Sequence, residues 1–159
     1  MTELDAVDFA LLRELQDDVR RSNRELAEAV HVSPSTSSER VRALRAGGVI
    51  RGYHADVALE ALGRQVQALT AVTIRPPTRE NVEAFRKWVA GLPELIGVFV
   101  VSGTSDFLLH VAVPDTNALY AFVIDRLTER REVADVNTSV VYEHIRRPVL
   151  EPIDRSPSG

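Results

Sequence analysis

Cysteine is absent from the 159 residues, which excludes a disulfide framework, a thiolate metal site and a cysteine nucleophile. That absence fits a reducing compartment, and the expected location is cytoplasmic. No stretch approaches the roughly 18 uninterrupted apolar residues of a membrane span. The N-terminal MTELDAVDFALLREL carries acids and lacks the basic region that opens a secretion signal. Neither a membrane partner nor a targeting signal is expected. Positive charge is also short: the net charge is −4, so phosphate binding would have to come from local clustering of bases. His31, His54, His110 and His144 have none of the short spacings of a metal site, and they read as scattered turn, rim and strand-face residues. No serine or lysine stands in a recognisable nucleophile context. The expectation is therefore no catalytic residue, no metal and no cofactor.

What is present is a chain with 45% hydrophobic and 26% charged residues, enough for one ordinary domain or two small ones. From Asp5 to about Leu15, apolar residues recur at helical spacing behind Asp5 and Asp8, the acids that a helix N-terminus favours. Ser22 and Glu25 form a capping box for a second helix, about Asn23 to Val30. It stops at His31, where a tight turn can require positive φ, which histidine tolerates better than most residues. Ser33-Pro34 and Gly47-Gly48 then bracket a third helix from Pro34 to Ala46.

On that third helix Val41 and Leu44 point one way with Ser37 beside them. Ser35, Thr36, Glu39 and Arg42 point the other way, flanked by Arg40 and Arg45. Alone, this pattern fits a solvated amphipathic helix as well as a helix that reads DNA. Short side chains let a helix approach base edges, hydroxyls and Glu39 can read donors and acceptors, and arginines reach guanine or phosphate. Two short helices, a turn of about three residues and a capped polar helix make a helix-turn-helix, which favours the DNA reading. Ser35, Thr36, Ser38, Glu39 and Arg42 are then the candidates for base contact, with Arg45 and Arg51 for phosphate.

Beyond Gln65 the period alternates between two and helical. VQALTAVTIRP, ELIGVFVVSG, SDFLLHVAVPD and ADVNTSVVYEHIRRP read as strands, while TRENVEAFRKWVAGL and TNALYAFVIDRLTER read as helices. The order βαββαβ predicts a ferredoxin-like α+β sandwich with both helices on one face of a four-stranded antiparallel sheet. Phe85 and Trp88, with Val82 and Val89, read as core against that sheet. Phe107, Leu109, Val111 and Val113 can line the helix side, yet Leu108 and Ala112 on the opposite side are also apolar. A sheet apolar on both faces needs a second cover, and another subunit's sheet supplies it, so a homodimer is expected. Ordinary mixed strand faces in a monomer are the alternative. The turn Ser102 to Asp106 is a plain hairpin turn on its own terms, although Gly103 would admit a ligand carboxylate and Asp106 could face an ammonium.

LDAVDFALLRELQDDVRRS followed by ELAEAVHVSPSTSSERVRALRAGGVIRGYHADV resembles the N-terminal half of the Lrp/AsnC, or feast/famine, family of transcription regulators. Leu4-Asp5, Asp8, Arg20, Glu25-Leu26-Ala27, Ser33, Ser35, Arg40, Leu44, Gly48-Val49-Ile50 and Gly52-Tyr53 match its pattern, while Ser37, Arg21 and His31 depart from it. The resemblance implies that double-stranded DNA is the partner and that the connector after Tyr53 acts as a hinge that pairs with its counterpart in a dimer. It also implies that the second half binds a small-molecule effector, an amino acid, between dimers in an assembly as large as an octamer. Gly103, Thr104, Asp106 and Thr138 are the effector candidates on that basis. A siroheme-decarboxylase-like enzyme on the same two-domain scaffold is the alternative, and the lack of converging histidines argues against it.

The expected organisation is a winged or three-helix helix-turn-helix domain over 1–52, a hinge over 53–64, an effector-binding and oligomerisation domain over 65–148, and a frayed tail over 149–159.

Overall fold

The computed structural model describes residues 4–153. The chain folds as two compact units, one ending at Ala55 and resuming from Ile145, the other spanning Asp56–His144.

In the first unit, α1 (Ala6–Asp17) begins where the Asp5 carboxylate accepts from the Val7 and Asp8 amides, both at 2.9 Å, and Asp8 returns the bond to the Asp5 amide. The reciprocal box saturates amides that a helix start leaves unpaired. α2 (Asn23–Ala29) carries the expected Ser22–Glu25 box. Its exit runs through His31 at φ 57°, so the positive-φ turn is present. α3 (Pro34–Ala46) starts on the Ser33 cap and stops at Gly48, φ 72°. The apolar centre of the unit is Leu11, Leu26, Ala27 and Leu44. Asn23 Nδ2 donates to the Pro34 carbonyl at 2.7 Å and holds the start of α3 against the start of α2.

After α3 the chain is exposed from Arg51 to Ala58 and forms no strand there, so among the described residues the unit has three helices and no wing. The beginning of the tail differs from expectation. Gln16 Nε2 donates to the Leu150 carbonyl at 3.2 Å and Gln16 Oε1 accepts from the Leu150 amide at 3.0 Å. Arg13 lies 3.5 Å from Glu151. A side-chain amide thus pairs with one residue of the tail as a neighbouring strand would, and the stretch around Leu150 is tied to α1. The rest of the expected frayed tail, from Asp154 on, lies outside the described residues.

The second unit opens with a 3₁₀ turn (Leu59–Leu62) closed by Gly63 at φ 73°. It continues as β1 (Val66–Ile74), α4 (Arg79–Val89), β2 (Leu95–Val100), β3 (Phe107–Val113), α5 (Thr116–Ala121) and β4 (Val133–Val141). The sheet is antiparallel throughout in the order β2-β3-β1-β4, the ferredoxin-like arrangement that the element order predicts. Phe85 and Val89 from α4 and Leu119 from α5 pack with Phe107, Leu109, Val111 and Val113 on one sheet face. Phe85 and Phe107 have ring centroids 4.8 Å apart.

Two element boundaries are corrected. The helix expected over 116–130 widens to a π-helical turn at Phe122–Leu127. A wider turn brings residues five apart nearly to one side, and both Phe122 and Leu127 are buried. The last strand ends at Val141, short of Pro148, because Val141 pairs with Gln67 at the start of β1 and, among the described residues, no strand continues beyond it.

The opposite sheet face keeps its apolar character. Leu69, Ala71 and Leu108 are only partly covered, and Phe99 beside Leu108 is 57% exposed. Ala112, expected on that open face, is buried within the chain, where Arg64 donates to its carbonyl at 3.0 Å.

Candidate nucleic-acid interface and effector turn

The arginines of α3 divide into two kinds. Arg40 Nη1 donates to Asp5 at 2.7 Å and to Asp8 at 2.9 Å, bolting α3 to the start of α1. The Asp5 carboxyl is held below its ordinary range by the Asp8 amide first and the Arg40 guanidinium second. Arg42, Arg45 and Arg51 form no ion pair among the described residues. They converge on one exposed cleft with Ile50, Gly52 and Tyr53, and the Arg45 guanidinium lies 5.4 Å from the Tyr53 ring centre. Three uncompensated guanidinium groups at the end of a polar helix are what a phosphate-rich backbone requires, despite the chain's net negative charge.

At the other end of α3, Ser33 Oγ lies 2.9 Å from Ser35 Oγ and 2.8 Å from Thr36 Oγ1. The hydroxyls of Ser35 and Thr36 are therefore gathered around the cap. Ser35, Ser38, Glu39, Arg42 and Arg45 are exposed and Thr36 is half-buried, while Ser37 and Leu44 face inward and are buried. Among the described residues Ser37 Oγ has no hydrogen-bond partner. Sequence reasoning did not single out Tyr53 as a site residue. Its signal was the single aromatic following Arg51-Gly52, next to the arginine-rich end of α3.

The hairpin turn between β2 and β3 carries Gly103 at φ 129°, a conformation that a side chain would strain. Asp106 is engaged: its Oδ2 accepts from the Ile74 amide at 2.7 Å and lies 3.5 Å from Arg75 Nη1. The Thr104 carbonyl faces Thr73 Oγ1 at 3.4 Å. Thr138 is elsewhere on the sheet, on β4, with its Oγ1 3.1 Å from Thr70 Oγ1. Since β1 rises roughly 3.3 Å per residue, the three steps from Thr70 to Thr73 separate Thr138 from the turn by about 10 Å. Within one chain the four effector candidates form two groups.

One expectation about the histidines is overturned. His110 on β3 and His144 after β4 converge, with ring centroids 5.6 Å apart. Burial, and then the neighbouring His144, push the His110 pKa below its ordinary value. Among the described residues no group of three or more histidines and carboxylates is placed to hold a metal ion, and no helix is long and apolar enough to cross a membrane.

A capped polar helix presented by a three-helix unit, joined to a βαββαβ sandwich, defines a helix-turn-helix regulator with an appended α+β domain. The chain belongs to the Lrp/AsnC family of transcription regulators: residues 4–45 match the AsnC-type helix-turn-helix domain and residues 67–149 the Lrp/AsnC ligand-binding domain. It is 38% identical over 144 residues to the HTH-type transcriptional regulator AldR of Mycobacterium tuberculosis, covering 91% of this chain and 80% of that one. Over the same length it is 40% identical to the leucine-responsive regulatory protein of Rhizobium meliloti, covering 91% and 92%. Among solved structures it is similar to a transcriptional regulator of Neisseria meningitidis in complex with L-Met. That match has a TM-score of 0.85 and 34% identity, and covers 91% of this chain and 94% of the other.

Proposed function

We propose that this regulator binds double-stranded DNA through α3, with Ser35, Thr36, Ser38, Glu39 and Arg42 at base edges and Arg45 and Arg51 on phosphates. The observation that carries the reading is the division among its arginines: Arg40 is committed to Asp5 and Asp8, whereas Arg42, Arg45 and Arg51 have no acidic partner among the described residues. A folded protein leaves such a cluster unneutralised at little benefit unless an external anion completes it. The names of its relatives support the same reading and favour a non-enzymatic role.

The second unit is the proposed effector and oligomerisation domain, bounded by the hinge over 53–64, and the working location is the cytoplasm. The open sheet face with Phe99, Leu69 and Leu108 is proposed as the surface of a homodimer, which sets two copies of α3 in a two-fold relation. The effector is proposed to be an amino acid, because the Neisseria relative holds L-Met. Gly103 and Thr104 would offer backbone groups to its carboxylate, and the oxygen of Asp106 not used by Ile74 would face its ammonium. Because Thr138 stands apart from the turn, an effector touching both is met by more than one chain, which suits binding between dimers and assembly to an octamer. Effector binding would then bias the arrangement of the paired helices.

Footprinting of the DNA upstream of the protein's own gene and its neighbours, with and without a panel of amino acids, tests both parts. Protection of a two-fold site that is weakened in Arg42→Ala is expected. Unchanged footprints in Arg42→Ala defeat the contact assignment, and no protection with any DNA defeats the regulator reading. An absorbance shift on adding siroheme, without DNA retardation, would favour the enzyme alternative.

A further inference from the structure

His110 and His144 reach each other from separate segments of the second unit, and their rings meet at 81°. His110 Nε2 lies 3.1 Å from Gln67 Oε1. An amide oxygen only accepts, so this contact places the His110 proton on Nε2 and leaves a lone pair on Nδ1. Ligating histidines are oriented in this manner, with the other ring nitrogen donating to an oxygen. Across from His110 on β2 stands Gly97, where an added Cβ would meet no other atom within 4 Å, so there is open space next to the ring. His144 is exposed and lies three residues past the end of β4, in coil, so its ring is free to turn.

We propose that His110 and His144 form a two-imidazole half-site for a borderline divalent ion of the first transition row, such as Zn²⁺ or Ni²⁺. Two imidazoles on one tetrahedral ion, at metal–nitrogen distances of about 2.0–2.1 Å, place their ring centres roughly 5 Å apart. The observed 5.6 Å is close to that separation, and the exposed His144 ring is the one that would turn to bring both nitrogens onto one ion. Imidazole suits these ions, whereas Mg²⁺ and Ca²⁺ require oxygen ligands. Water fills the remaining positions, or the same histidine pair from a second copy does, since His110 shares the open sheet face with Leu108. His144 is also the last residue of the second unit before the chain re-enters the first. A bound ion would therefore pin the point at which the chain leaves the second unit.

Calorimetric titration of the full chain with ZnCl₂ and with NiCl₂, in chelator-free buffer containing excess Mg²⁺, tests the site. Saturable binding is expected, at one ion per chain if water completes the shell or one per two chains if two copies share it. His144→Ala, a change at an exposed coil residue, should weaken binding at least tenfold. Gln67→Ala should weaken it by roughly tenfold through loss of ring orientation. The double variant His31→Ala, His54→Ala should bind as the parent does. Substoichiometric Ni²⁺ should broaden the ring proton signals of His110 and His144 together. No saturable binding by the parent chain, or binding that survives His144→Ala, overturns the proposal.

Discussion

In the first unit the buried apolar side chains are Leu11, Leu26, Ala27 and Leu44, and much of its definition comes from polar groups at helix ends: Asp5, Ser22, Glu25 and Ser33, with Arg40 and Asn23 as cross-links. In the second unit a continuous cluster from Ala68 to Leu127 fills one face of the sheet, and the aromatic rings of Phe85 and Phe107 meet inside it. Small domains bury too little surface to rely on a core alone, so fixed charges and caps carry a larger share of their stability. The outward side of α3 stays polar and exposed, while the open face of the sandwich sheet stays apolar, with Phe99 57% exposed.

That contrast can be broken most forcefully from the sandwich side. Phe107→Ala or Phe85→Ala should cost about 3–5 kcal/mol in urea unfolding of the second unit, with the helical signal of the first unit persisting into higher denaturant. A single coincident loss of both signals would show that the units are not separately held. Arg42→Ala should remove roughly 1–3 kcal/mol of preference for the specific site in fluorescence anisotropy, with thermal stability unchanged. Arg40→Ala should do the reverse, lowering the melting temperature while DNA affinity measured well below that temperature stays close to the parent value. If both variants lose affinity equally at full folding, the division between committed and available arginines is wrong.

Ser37→Ala addresses a smaller term. The hydroxyl of Ser37 is buried without a partner, so its removal should stabilise the first unit by about 1 kcal/mol, since the cost of desolvating it disappears. A fall in the melting midpoint would mean that the hydroxyl has a partner in solution. Acid stability provides the smallest and most specific test. Asp5 is held below its ordinary 3.8, and Glu25 is held below its ordinary 4.5 by the Ser22 amide and then the Ser22 hydroxyl. A carboxyl whose folded pKa is depressed stabilises fully above its unfolded value and loses that contribution as pH falls through the folded value. The first unit should therefore weaken progressively below about pH 4.5, and Asp5→Asn should flatten that dependence in pH-resolved melting curves.

Much of the first unit was legible because its instructions are local. Ser22 with Glu25, Ser33 with Pro34 and Gly47 with Gly48 each act over one helical turn, and the structure places helix ends where those residues predict them. The βαββαβ order was equally legible, since period-two and helical patterns alternate cleanly from Val66 onward. Less legible was the extent of the last strand, because residues 142–148 look like strand material but lack a neighbour to pair with. Ser37 was visible as a polar residue on an apolar stripe, and only packing showed that it is fully buried.

The candidate site residues show the same limit. Glu39 and Arg42 could be assigned to the outward side of α3 from helical spacing alone, as could the inward turn of Leu44. That Arg40 is bound to Asp5 and Asp8, that Asp106 accepts from the Ile74 amide, that His110 meets His144 and that Gln16 pairs with Leu150 could not be read from spacing. These partners stand 32 to 134 residues apart. Sequence by itself determined the capped helices, the alternating strands and the family they belong to, because caps and periodicity act between residues within a turn or a pleat of one another. Only the tertiary structure decided which arginines are available, which carboxylate is already engaged and which histidines converge, because distant segments acquire neighbours when a sheet sets its register and a helix is docked against another.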